Sequence, residues 1–160
     1  MSDHDHAPLS TTDHLAGVAD QIADGLLDRT LPKSRWTHEG HLLACVALVR
    51  RHGAMDALSM LRAAIPPYNE STGVSNTPTT GYHDTITVYF VWAIDRLLTT
   101  GHDAPAILRH PLVARNAPLE FWDRESLMSP AARLAWMEPT RRAGEPDAPK
   151  EHLQPELLRV

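Results

Sequence analysis

The sequence predicts an all-α fold, a compact irregular helical bundle of about five to six helices around two central apolar ones. Three observations support this. Apolar residues recur at helical spacing in several runs, start and stop residues bracket those runs, and no segment between them alternates with the period of a strand.

Residues 1–10 read as a flexible, acidic N-terminal tail that contains His4 and His6. The tail has neither the basic region nor the apolar stretch of a signal peptide, and no apolar run reaches membrane-spanning length, so the default compartment is cytoplasmic. The helical domain is expected over 11–139. Its first helix runs from about Thr12 to Asp28, because Leu15, Val18, Ala19, Ile22 and Leu26 form a stripe and Ser10, Thr11 or Thr12 can cap it. The second helix follows Thr37, a natural N-cap, with Glu39 in its first turn. It closes with Arg50, Arg51 and His52 ahead of Gly53. Trp36 precedes the cap, where a hydrophobic staple is expected. The middle of this helix is apolar all round, which makes it central.

A third helix spans about Ala54 to Ile65, and Pro66-Pro67 is expected to stop it. A polar connection then occupies 66–80, a length that in compact domains is often functional. The fourth helix, about Gly81 to Thr99, is the second central one, and Gly101 ends it. Shorter helical pieces follow: Ala104 to Arg109 capped by Asp103, a segment near Leu119 to Trp122, and Ala131 to Met137 introduced by Ser129-Pro130. Residues 140–160 read as an irregular C-terminal tail with a short turn at Pro155 to Leu158.

Composition narrows the function classes. The chain has 160 residues, a formal net charge of −5 and one cysteine. The negative balance argues against nucleic-acid binding, which needs a basic face. It also gives no reason to expect an anionic membrane partner. Cys45 cannot form an internal disulfide and lies in an apolar run, where it reads as a small buried hydrophobe. His41 four residues earlier keeps a nucleophile role in view. No phosphate loop, dinucleotide fingerprint or Gly-x-Ser-x-Gly elbow is present. Oligomeric state is not legible.

The chemistry-bearing residues gather in two segments. His38 and His41 are spaced i, i+3, which puts their Cβ atoms about 5–6 Å apart on one helix face. The pattern is not His-Glu-x-x-His, so a metalloprotease is rejected. His83 lies at the start of the other central helix, flanked by Tyr82, Asp84 and Thr85. If these helix starts meet, three imidazoles converge, and His38, His41 and His83 with an open position would suit a divalent transition metal: zinc, copper or iron. Without a metal, the same histidines serve as general acid or base groups, supported by Tyr82 and Asp84. Tyr68, Asn69, Asn76 and Thr85 are the expected ligand-binding residues of the intervening loop and helix start. His14, His102, His110 and His152 have no companion at useful spacing.

Trp36-Thr37-His38-x-x-His41-Leu42, Tyr68-Asn69, Asn76-Thr77, Gly81-Tyr82-His83-Asp84-Thr85-x-Thr87 and Ser129-Pro130-x-Ala132-Arg133-x-x-Trp136 together resemble an uncharacterised family of small bacterial helical proteins, over about residues 36–139. That family usually carries Glu where this chain has Asp84. The resemblance implies no activity, only that these segments travel together. Three readings stay open: a small enzyme or metal-dependent catalyst acting on a small molecule, a non-catalytic small-molecule binding protein, and a helical interaction protein in which the histidines brace helix ends.

Overall fold

Ser10 opens the first helix by accepting the Asp13 N–H on its hydroxyl, and α1 runs Thr11–Asp28. Ala19, Ile22, Ala23 and Leu26 form its buried stripe. The computed structural model describes residues 10–151, among which are seven α-helices, three 3-10 turns and no strand. Among the described residues no helix is long and apolar enough to cross a membrane. Residues 1–9 of the expected tail and the expected turn at Pro155 to Leu158 lie outside the described residues.

The central helix α2, His38–His52, begins at the Thr37 cap and ends at Gly53, as its start and stop residues predict. Every residue from Leu42 to Val49 is buried. A segment apolar on all sides has to be covered on all sides, and α1, α3, α4 and α5 surround it.

The third helix departs from expectation. It runs Ala54–Ser71, straight through Pro66 and Pro67. Two prolines inside a helix remove two N–H donors and cost about 3 kcal/mol or more each when nothing compensates. Here the turn beyond them is held from outside. Tyr68 is fully buried and its hydroxyl donates to the Leu31 carbonyl, while Asn76 Nδ2 donates to the Pro66 carbonyl. Tertiary anchoring therefore outweighs the local stop signal, and the connection to α4 shortens to residues 72–83.

That connection contains Gly81 at φ +77°, where a Cβ would meet the Ser75 carbonyl at 2.5 Å and Asn76 Oδ1 at 2.7 Å. Only glycine fits there. The fourth helix starts three residues later than expected: α4 is Asp84–Thr99, with His83 in extended conformation as its N-cap. Its buried residues Val88, Tyr89, Val91, Trp92, Ala93 and Ile94 make it the second central helix.

The remaining helices are short: α5 Ala104–Leu108, α6 Arg124–Leu127 and α7 Pro130–Leu134. The helix expected over Ala131 to Met137 stops at Leu134 because the chain turns extended at Ala135 to reach Thr85. Thr85 Oγ1 donates to the Ala135 carbonyl and accepts the Met137 N–H. Trp122 is fully buried against Tyr89, Phe121 and Trp136, and its indole N–H reaches the Met137 and Glu138 carbonyls. Residues 140–151 are irregular, as expected, but attached: Asp147 pairs with Arg96 and Glu151 with Arg62.

Candidate functional site: a histidine-lined cleft

The start of α2 builds the site locally. Thr37 Oγ1 accepts the Gly40 N–H at 3.1 Å, which fixes the first turn. Trp36, one residue before the cap, then meets the fourth helical residue, the geometry of a hydrophobic staple. That fourth residue is His41. The two rings stack with centroids 3.6 Å apart and planes at 29°. His41 Nδ1 lies 2.7 Å from the Thr37 carbonyl. A carbonyl only accepts, so Nδ1 carries the proton and Nε2 keeps its lone pair. Desolvation of the ring against the cleft wall lowers the His41 pKa; the Thr37 bond opposes this, and the charges of His38 and Arg115 lower it further. The residue remains exposed at the cleft mouth and presents a neutral imidazole near neutral pH.

Two adjoining cavities open beside it, of about 430 and 370 Å³. They share Trp36, His41, Ile65, Ile86 and Thr87, so His41 stands between them. One face of each of three helices supplies the walls. From α2 come His38, His41 and Cys45, from α3 Leu61, Ile65 and Asn69, and from α4 Ile86, Thr87 and Phe90. These spacings are helical, so the cleft follows from three amphipathic faces meeting. Residues of the first turns of both α2 and α4 line these adjoining cavities.

The three histidines do different things there. His38 lines the larger cavity, donates Nε2–H to the Val113 carbonyl at 2.9 Å and lies edge-on to Phe90. His83 lines the smaller cavity but is 9% exposed, and both its ring nitrogens are engaged. Nε2–H donates to the Leu127 carbonyl at 2.7 Å, and Nδ1 accepts the Ile86 N–H at 3.2 Å. Burial lowers its pKa; the Leu127 bond opposes this, and Arg133 adds to it. A ring saturated in this way cannot ligate a metal. Among the described residues no group of three His, Cys, Asp or Glu side chains could hold a metal ion. The expected His38, His41, His83 metal centre is therefore not assembled, because His83 is used as a helix cap.

Other expected site residues are also structural. Asp84 is buried under a two-pronged ion pair with Arg62, at 2.9 and 2.8 Å, and accepts the Tyr82 hydroxyl at 2.7 Å. Burial alone would raise its pKa, but Arg62 and Tyr82 outweigh burial and hold the carboxyl below its usual range. This uses Asp84 as an anchor rather than as a proton carrier. Tyr68 is fully buried beneath Trp36. Asn76 braces the loop by accepting from Asn69 Nδ2 and the Tyr82 N–H, and Thr85 holds the C-terminal segment. Of the loop residues, Asn69 and Tyr82 do reach the smaller cavity. Cys45 lines the larger cavity at 3% exposure, and burial raises its thiol pKa, so it is a wall and not a nucleophile.

Sequence reasoning overlooked Lys33, Arg115, Phe90 and Thr87 as lining residues and Arg62 as the partner of Asp84. Arg115 and Arg62 carry no local signal, since their role depends on which distant segment they face. His102 and His110, which looked solitary, form an edge-on pair with centroids 5.3 Å apart.

No family model matches this chain, and neither does any curated protein or solved structure.

Proposed function

We propose that the protein binds a small organic molecule in the cleft beneath Trp36, with His41 as the group that exchanges a proton with it. The observation that carries this reading is the state of His41. Its Nδ1 is pinned to a backbone carbonyl, its face is stacked on an indole, and its Nε2 is a lone pair without a hydrogen-bond partner among the described residues, on a residue common to both cavities. A histidine oriented in this way has the geometry and the basicity of a general base. The larger cavity falls within the usual range for small-molecule sites, about 300–1,000 Å³, and its walls are mostly apolar with a few polar groups. Binding without turnover is the same site with His41 acting only as a hydrogen-bond partner.

A fragment screen by protein-observed NMR, with neutral, anionic and cationic members, tests this. Bound fragments should shift the His41 ring and Trp36 indole signals, and His41→Gln should weaken them at least about fivefold, the loss of one good hydrogen bond. Fragments that bind without moving either signal, or that are indifferent to His41→Gln, would remove the reading. Deuterium exchange from solvent into a bound fragment, lost in His41→Gln, would separate proton transfer from simple binding.

A further inference from the structure

The cleft has a charge pattern opposite to that of the protein. The chain carries −5 overall, yet neither cavity has an Asp or Glu in its lining. What the cavities do contain is basic or hydrogen-bonding. Arg115 and the two histidines line the larger cavity, and Lys33 lines the smaller. Arg115 is the arginine that lines these cavities, and no carboxylate lies within ion-pair distance of it among the described residues, unlike Arg51, Arg62, Arg96 and Arg142, which are held in ion pairs. An exposed, unpaired guanidinium sits at the edge of walls made by Ile65, Ile86 and Phe90.

Resting on the small-molecule reading above, we propose that the larger cavity takes a small organic carboxylate, its head paired with Arg115 and its apolar body against Ile65, Ile86 and Phe90. The guanidinium fork matches a carboxylate, which explains a lone arginine here. A phosphate group would call for several convergent donors or a run of backbone N–H groups, and the lining is mostly apolar side chains. An amine is disfavoured by the missing acid. Arg115 and His41 line the same cavity, so a carboxylate paired with the guanidinium lies beside the imidazole whose ring signal reports it.

The test uses three probes of one shape on the full chain at low ionic strength: 3-phenylpropionate, its amide, and 3-phenylpropylammonium. Binding is followed through the His38 and His41 ring signals. The carboxylate should bind about tenfold or more tightly than the amide, the worth of a charge-assisted hydrogen bond, and the ammonium most weakly. Arg115→Gln should abolish the acid-over-amide preference, and Arg115→Lys should keep part of it. Because Arg115 is exposed and in no ion pair with the described residues, melting temperatures of both variants should match the parent. Equal binding of acid and amide, or a preference that survives Arg115→Gln, overturns the carboxylate and leaves the small-molecule site standing. If no probe moves either histidine signal, both readings fall.

Discussion

Trp36 and His41 stack at a centroid distance of 3.6 Å, and the bond that turns the imidazole toward this stack ends on the carbonyl of the residue between them in the cap, Thr37. A device that starts a helix thus also orients the residue at the centre of the cleft. Trp36→Leu should remove the aromatic face and admit water. The His41 pKa should rise toward its ordinary 6.5, read by NMR titration of the ring proton. Stability should fall by about 1–2 kcal/mol. An unchanged pKa would place the source of desolvation elsewhere.

Acid should destabilise the protein in two stages. His41 and His83 both have lowered pKa values when folded, so between those values and 6.5 the unfolded chain binds more protons. Stability is therefore at its full value above about 7 and declines as pH falls below 6.5. His83 adds a specific cost, because protonating Nδ1 evicts the Ile86 N–H. The carboxyl of Asp84 is depressed below 3.8, so a second decline follows at lower pH as it protonates. Urea midpoints between pH 7.5 and 5.5 check the first stage. His83→Asn, which keeps a capping acceptor but not the titration, should shrink it to the share of His41. A midpoint that rises on acidification would contradict the assignment.

Two glycine replacements should move in opposite directions. A Cβ at Gly40 would run into the Arg35 carbonyl, so Gly40→Ala must push α2 off the 3-10 turn Lys33–Arg35. The expected loss is about 2–3 kcal/mol, with the His41 and Trp36 signals displaced. Gly17 lies within α1 with nothing within 4 Å of its Cβ position, and Gly17→Ala should gain about 0.5–1 kcal/mol. Equal effects of the two would show that the close approach at Gly40 is soft.

The Asp84–Arg62 pair should matter to stability more than to binding. Asp84→Asn leaves a cation partly buried, and should cost about 2–3 kcal/mol, less than a fully buried pair because the Arg62 side chain is 33% exposed. Tyr82→Phe removes one hydroxyl bond to Asp84 and should cost about 1 kcal/mol. Glu151→Gln, on the outer prong, should cost less than either. Denaturation midpoints rank the three, and a larger effect of Glu151→Gln would invert the hub described here.

The sequence by itself determined what depends on residues a few positions apart. The Thr37 cap, the Gly53 stop, the staple position of Trp36 and the shared face of His38 and His41 are all consequences of helical spacing and local hydrogen bonds. Those interactions form within one turn and need no partner from elsewhere. Tertiary structure decided everything that requires a distant partner. Pro66 and Pro67 remain inside α3 because Tyr68 is buried against Leu31. His83 is a cap and not a ligand because the Leu127 carbonyl occupies its second nitrogen. Asp84 is an anchor because Arg62 faces it, and the cleft is cationic because Arg115 arrives from a later turn. Local pattern sets which way a side chain leaves its helix, and only packing sets what it meets.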